Sequence, residues 1–109
     1  MLEDAVNVLR ASMKANGLTQ ISLFDGQLIG FARKKVDGEY ISIEIAVDFE
    51  RRKVQVTTIR EPAKNTCRDR FKEVDYTETG YATVEDALKA ILKYCSKLKN
   101  SGEGCEDDF

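Results

Sequence analysis

Histidine and tryptophan are absent from this chain of 109 residues. Without histidine, the chain lacks the most common general base and every Ser-His or Cys-His pair that activates a nucleophile. It also lacks a glycine-rich phosphate-binding loop, because Gly26, Gly30 and Gly38 are explained by turns and close strand packing. We therefore predict that the protein is not an enzyme and that it carries no cofactor.

Cysteine is scarce, and its spacing argues against both a disulfide framework and a metal site. The three cysteines, Cys67, Cys95 and Cys105, form no close pair, and an odd number does not indicate a set of disulfides. A zinc site would need all three thiolates and a carboxylate, at spacings unlike those of a zinc finger. We predict no metal site, a buried Cys95, and surface positions for the other two.

Long apolar runs are also missing. No stretch of about eighteen apolar residues is available to span a membrane, and the N-terminus has neither the basic flank nor the apolar run of a signal peptide. The hydrophobic content of 42% and the charged content of 33% are typical of a globular domain. We therefore expect a small cytoplasmic protein without membrane contact, folded as a single domain over residues 1–99.

The net charge of −2 is unevenly distributed along the chain. Residues 28–72 hold eleven basic and seven acidic side chains, whereas residues 73–109 hold four basic and nine acidic ones. The last ten residues, 100–109, combine two glycines and a serine with four acidic side chains. Because such a composition buries too little apolar surface to fold, we predict a disordered acidic tail at 100–109.

Alternating side chains over residues 39–49 predict a central β-strand. Apolar residues occupy the odd positions from Ile41 to Phe49, and the even positions are polar, charged or small. Successive side chains of a strand point to opposite faces, so this pattern is typical of a strand with one buried and one solvent-exposed face. A second run of strand-forming residues, 53–59, follows after a charged turn.

Two shorter segments, residues 20–24 and 28–35, precede this pair and predict a four-stranded antiparallel meander. In the first hairpin, a three-residue loop would place Leu23 opposite Ile29, whereas a two-residue loop would turn Phe31 to the other face. The three-residue loop puts more apolar side chains into the core, and we favour it.

The next two hairpins have clearer turn signals. A three-residue loop that ends in Gly38 fits a type I turn followed by a left-handed glycine, and it places Phe31 opposite Ile43. A slip of one residue would turn these two side chains to opposite faces of the sheet. The third hairpin turns at Glu50–Arg51 or, more loosely, over residues 49–53, and the tighter turn places Val47 opposite Val54.

Both ends of the chain are predicted to be helical. Residues 2–16 carry one apolar stripe, and the pair Asn16–Gly17 is typical of a helix end. A second helix follows Thr83, which forms a sequence pattern close to a capping box with Asp86. The apolar stripe of this second helix consists of Val84, Ala87, Leu88, Ile91, Leu92, Cys95 and Leu98.

These elements predict an α+β fold, in which an antiparallel meander of four to five strands is flanked by an N-terminal and a C-terminal helix. The optional fifth strand, at residues 71–77, would place Val74 and Tyr76 on one face. Because each helix has one apolar stripe and the sheet has one apolar face, we expect both helices to pack on that same face.

A compact domain without a catalytic constellation is most economically a binding module. We predict that it acts as an accessory, adaptor or small inhibitor protein, through its sheet surface or an open strand edge. The expected partner is another protein or a second copy, in a homodimer that pairs edges or stacks the outer faces of two sheets. The contact residues expected on that outer face are Tyr40, Ser42, Glu44, Gln55 and Thr57.

Nucleic-acid binding is the alternative, and it would use the basic loops around residues 33–35 and 60–72. The hairpin topology would bring Lys34, Lys35, Lys64 and Arg68 to one end of the sheet, where they could bind phosphates in a salt-dependent manner. Exposed aromatic side chains for base stacking are scarce, and the start of the last helix is acidic rather than basic. These two features make protein contact the preferred prediction.

Overall fold

The chain folds, in a computed structural model, into a five-stranded antiparallel sheet with both helices on one face. The structure describes residues 2–62 and 73–101, with side chains for residues 3–62 and 73–98. The strands follow one another across the sheet in sequence order, which confirms the predicted α+β meander. The elements are α1 (Leu2–Ala15), β1 (Thr19–Phe24), β2 (Gln27–Val36), β3 (Glu39–Asp48), β4 (Lys53–Pro62), β5 (Glu73–Gly80) and α2 (Val84–Ser101).

Helix α1 is held by its apolar stripe and by a well-formed C-terminal cap. Val6, Leu9 and Met13 are buried along one side of the helix. At its end, Gly17 has a φ of +92°, and the amide of Leu18 donates a hydrogen bond of 2.9 Å to the carbonyl oxygen of Met13. This is the Schellman arrangement, which satisfies terminal carbonyl groups and turns the chain sharply into β1.

Helix α2 begins with the predicted capping box. The Asp86 amide donates to Thr83 Oγ1 at 3.2 Å, and the Asp86 carboxylate accepts from the amides of Thr83 and Ala82 at 3.2 and 3.3 Å. These backbone hydrogen bonds, that from Thr83 first, hold the pKa of Asp86 below its ordinary value of 3.8. The helix continues to Ser101, and the rest of the predicted tail lies outside the described residues.

One position in the predicted stripe of α2 is wrong. Leu92 is 54% exposed, whereas Tyr94, which the stripe omitted, is buried. The phenol oxygen of Tyr94 lies 3.2 Å from Thr79 Oγ1, so its polar tip has a partner at the edge of the sheet. Cys95 is buried, as predicted.

The second hairpin is one residue tighter than predicted. Asp37 and Gly38 have φ values of +49° and +81°, and Val36 pairs directly with Glu39. Two residues with positive φ form a type I′ turn, whose twist matches that of the flanking strands. The predicted pairing of Phe31 with Ile43 is therefore wrong, because Phe31 pairs with Glu44.

The first hairpin also turns on two residues, so the favoured three-residue loop is wrong. Asp25 and Gly26 both have positive φ, and Leu23 pairs with Leu28 rather than with Ile29. Nearer its start, β1 contains an irregularity at Gln20, whose φ is +53°. A bulge of this kind ends regular pairing and bends the edge strand.

The third hairpin has the predicted register, with Val47 opposite Val54. The buried carboxylate of Asp48 closes this turn, since its Oδ1 accepts hydrogen bonds from the amides of Glu50 and Arg51 at 3.1 and 3.0 Å. Such a side-chain-to-backbone pair satisfies turn amides that have no partner in the sheet.

The inner face of the sheet, which faces the helices, carries the hydrophobic core. Ile45 and Val47 of β3 are fully buried between strands β2 and β4 and beneath the helices. The described core cluster consists of Val6, Leu9, Met13, Leu18, Leu28, Ile43, Ile45, Val47, Val54, Val56, Ala87, Ala90, Ile91, Tyr94 and Cys95.

Candidate interaction surface

The outer face of the sheet is the side that faces away from both helices. The register places on it every second residue of each strand, in rows that cross the sheet. One central row runs from Phe31 through Glu44 and Thr57 to Tyr76. The outer face comprises Thr19, Ser22, Phe24, Gln27, Ile29, Phe31, Arg33, Lys35, Tyr40, Ser42, Glu44, Ala46, Asp48, Lys53, Gln55, Thr57, Ile59, Glu61, Val74, Tyr76, Glu78 and Gly80.

Exposed apolar side chains are concentrated on this face. Of the seven large hydrophobic side chains exposed in the described part of the chain, four lie on it, with exposed fractions between 37% and 72%. These four are Phe24, Phe31, Val74 and Tyr76. The other three are dispersed, with Val8 on α1, Leu92 on α2 and Leu23 on the inner side of β1. Scattered apolar residues are common on protein surfaces, whereas larger groups of them are less usual. Here Phe24 and Phe31 lie on β1 and β2, Val74 and Tyr76 lie on β5, and strands β3 and β4 separate the two groups.

All five residues predicted to mediate protein contact lie on the outer face and are half-buried. Ser42 pairs with Ile59, Glu44 with Thr57, and Gln55 with Ala46. Tyr40 lies near the start of β3, and the guanidinium carbon of Arg33 is 3.9 Å from the centroid of its ring. This stacking holds an aromatic ring and a cation flat against the sheet.

Sequence reasoning missed the apolar members of the outer face on β2. Ile29 and Phe31 were assigned to the core, and the one-residue change in the second hairpin turns both outward. The missed signal is the dipeptide Asp37–Gly38, which is typical of two-residue hairpin loops. Val74 and Tyr76 do share one face, as predicted, and it is the same outer face.

Charge is polarised across the sheet. Strand β2 carries three basic side chains and no acidic ones, at positions 33–35. Strand β5 carries Glu73, Asp75 and Glu78 and no basic side chain. Glu78 accepts a hydrogen bond of 3.1 Å from Lys53 of β4, an ion pair that crosses to the neighbouring strand. Strand β2 is therefore basic and edge strand β5 is acidic, but Glu73 and Asp75 lie on the inner side of the sheet, opposite Arg60 and Thr58, and only Glu78 lies on the outer face.

The two edges of the sheet have features that discourage strand pairing with another chain. Edge strand β1 has six residues and is interrupted by the irregularity at Gln20. Edge strand β5 has acidic side chains at three of its eight positions, Glu73, Asp75 and Glu78. Short, bulged or charged edges are the usual protection against edge-to-edge association. The face of the sheet is therefore a better contact surface than either edge.

The basic cluster predicted for nucleic-acid binding is only partly within the described residues. Lys34 and Lys35 are consecutive in β2, so their side chains leave the sheet on opposite faces. Lys34 lies on the inner side, opposite Ile41, and Lys35 lies on the outer side, opposite Tyr40. Lys64 and Arg68 lie outside the described residues.

A groove of about 570 Å³ lies between the C-terminal halves of the helices and the sheet. Its lining includes Asn16 and Gly17, which follow α1, Cys95 and Leu98 of α2, and Ile43 of β3. Among residues 2–62 and 73–101, no group of three or more Cys, Asp or Glu side chains is placed to hold a metal ion. No helix in the same two ranges is long and apolar enough to cross a membrane.

Comparisons of the chain with protein-family models, curated proteins and solved structures found no match.

Proposed function

We propose that this protein is a non-enzymatic binding module that docks another protein chain on the outer face of its sheet. The observation that carries the proposal is the concentration of exposed apolar side chains there, with Phe31 and Tyr76 in one cross-strand row. A face that contributed only to solubility would carry charged residues at these positions, because water contact of aromatic side chains is unfavourable.

The composition of the outer face resembles that of a protein interface. Its aromatic and aliphatic side chains are interspersed with uncharged polar ones, such as Ser42, Gln55 and Thr57, and with charged ones, such as Arg33 and Glu44. Protein interfaces are enriched in aromatic residues and arginine, and they use uncharged polar groups to make hydrogen bonds. The stacked pair of Arg33 and Tyr40 supplies the residue types that often dominate binding energy.

A nucleic-acid ligand has less support on this face. Glu44, Glu61 and Glu78 lie among the aromatic side chains, and their carboxylates repel phosphate groups. The basic side chains at positions 34 and 35 point to opposite faces and do not form one patch. If the protein bound a nucleic acid and neither added salt nor a substitution of Lys35 changed the affinity, the outer face would not account for that binding.

The test is affinity capture with two matched variants. Phe31 on the outer face and Val8 on α1 are exposed to similar extents, 37% and 46%. We expect Phe31→Glu to capture at least about tenfold less of the partner chain than the wild-type protein does, because a charged side chain replaces an apolar one on the contact surface. Val8→Glu should retain the bound chain, and circular dichroism should show that both variants are folded.

The proposal would be contradicted by equal capture with both variants. It would also be contradicted if Val8→Glu lost the partner and Phe31→Glu kept it, because the contact surface would then lie on the helices.

A further inference from the structure

We infer that the chain docked on the outer face is an amphipathic α-helix with a lysine or arginine in the middle of its apolar side. This inference rests on the proposed function and names the kind of partner. It follows from the distribution of large and small side chains on the outer face, and from an uncompensated carboxylate near its centre.

The outer face forms a trough that runs along the strands. Its walls are Ile29 and Phe31 of β2 on one side and Val74 and Tyr76 of β5 on the other. Between the walls, β3 and β4 contribute side chains that are mostly short, which leaves the middle of the face lower than its flanks. The floor of the trough consists of Ser42, Glu44, Ala46, Gln55 and Thr57.

The trough has the width of one helix. Strands β2 and β5 are three strand spacings apart, which is about 14 Å at about 4.8 Å for each spacing. An α-helix with its side chains is about 10–12 Å across, so one helix lies on the floor and contacts both walls. A second sheet is wider than the trough and would meet the wall side chains before it reached the floor. A helix in an apolar groove is also a common mode of peptide recognition.

Glu44 determines which charge the helix carries. It lies in the floor, in the row that joins Phe31 to Tyr76, and is half-buried. Within the part of the chain that the structure describes, Glu44 makes no hydrogen bond or ion pair. A helix placed over it removes its carboxylate from water, and a buried charge is costly unless it is paired. A lysine or arginine on the apolar side of the helix offsets this cost by a charge-assisted hydrogen bond.

The cations of the outer face do not compensate Glu44. Arg33 is on the neighbouring strand, and its guanidinium group stacks on Tyr40, four residues from Glu44 along β3. Lys35 lies opposite Tyr40, at the same distant row, and Lys53 is bound to another carboxylate at 3.1 Å. The compensating charge therefore comes from the partner.

Fluorescence anisotropy with two designed peptides tests the inference. Each labelled peptide forms a helix of about fifteen residues, about 22 Å long, with leucine on one side and alanine and glutamine on the other. The centre of the leucine side carries arginine in one peptide and glutamate in the other. We expect the wild-type chain to bind the arginine peptide at least about tenfold more tightly, because the glutamate peptide places a like charge beside Glu44.

Three variants identify the carboxylate that selects the peptide. Glu44→Arg should reverse the preference, so that the glutamate peptide binds more tightly. Asp75→Arg makes the same change in net charge at an exposed position on the inner side of β5, and it should keep the wild-type preference. Glu44→Gln is a milder change that removes only the charge, and it should bind the two peptides within about threefold of each other. Circular dichroism should show that all three variants are folded.

Several outcomes would overturn the inference. They are a wild-type chain that binds neither peptide at several hundred micromolar or binds both equally, a Glu44→Arg or Glu44→Gln variant that keeps the full preference for arginine, and an Asp75→Arg variant that loses it. A wild-type chain that dimerises in sedimentation velocity, with a monomeric Phe31→Glu variant, would also overturn it and would identify a second copy as the occupant of the trough.

The inference and the proposed function can fail separately. The proposed function stands without the inference if the capture experiment recovers a chain that Phe31→Glu loses and Val8→Glu keeps, while the peptides are not distinguished. The two fall together if capture is equal with both variants and the peptides are not distinguished.

Discussion

Ile45→Asp is expected to unfold the protein at room temperature. Ile45 is fully buried at the centre of the sheet, where it pairs with Gly30 on one side and with Val56 on the other. The variant loses about 1.5–3 kcal/mol of apolar burial and places a carboxylate where the described core offers only apolar neighbours. The combined cost is several kcal/mol, comparable with the whole stability of a small domain, about 5–15 kcal/mol.

The matched control is Thr57→Asp. Thr57 is on the neighbouring strand, points to the outer face and is half-buried, so the same new carboxylate can reach water. We expect a loss of no more than about 2 kcal/mol, from the lower strand preference of aspartate and from the like charge of Glu44 directly opposite. Far-ultraviolet circular dichroism and urea denaturation distinguish the two variants. A folded Ile45→Asp protein with native stability would show that the helices do not cover this face.

Gly30→Val is expected to destabilise the fold by about 1–3 kcal/mol through overpacking. A side chain at position 30 would point at the helix end, where its Cβ would lie 3.2 Å from Leu18 Cβ and 3.3 Å from Ile21 Cγ1 and Met13 Sδ. Contacts this short require α1 or β1 to shift. The close approach of α1 to β2 thus depends on the absence of a side chain at this position.

Gly80→Val supplies the control for this prediction, since it makes the same change in β5. A Cβ at Gly80 would have only the carbonyl oxygen of Arg52 within 4 Å, at 3.9 Å. Glycine in a strand is entropically costly, so we expect this variant to be neutral or slightly more stable. The urea midpoints of the two variants measure the difference. Equal midpoints would contradict the close contact between Gly30 and the end of α1.

The fold was predictable because several independent signals agree. Three signals each fix an element or a register locally. They are the alternation along β3, the capping box at Thr83 and Asp86, and the charged turn of the third hairpin. The register predicted for the third hairpin was correct because the pairing of Val47 with Val54 agrees with the position of the turn and also places both side chains in the core. The core position of Cys95 followed from helical periodicity alone.

The apolar part of the outer face was not predictable by the same reasoning. The preference for burying apolar side chains selected the first loop, and a type I turn followed by a left-handed Gly38 selected the second. Each predicted loop is one residue too long, and together they assigned Ile29 and Phe31 to the core. The aspartate–glycine dipeptides at 25–26 and 37–38 carry the competing signal, and turn geometry prevails over side-chain preference. A contact surface is where such a conflict is expected, since its apolar residues are buried by a partner and not by the fold.

The prediction for Leu92 and Tyr94 failed for a related reason. Tyr94 was left out of the apolar stripe of α2, yet it is buried, and its hydroxyl group lies 3.2 Å from Thr79 Oγ1 at the edge of the sheet. A periodicity pattern contains no information on such a long-range partner. The opposite directions of Lys34 and Lys35 were predictable, because both residues lie in the strand predicted at residues 28–35 and successive side chains of a strand point to opposite faces.

The most direct test of the outer face as the contact surface is a methyl NMR spectrum of the isoleucine, leucine and valine side chains. The chain has seven isoleucines, of which Ile29 and Ile59 lie on the outer face, whereas Ile45 and Ile91 are fully buried in the core. As protein concentration rises, or as a captured partner is added, the signals of Ile29 and Ile59 should shift while those of Ile45 and Ile91 stay fixed. Unchanged signals of Ile29 and Ile59, with shifts at the methyl groups of Val8 or Leu92 on the helices, would contradict the account.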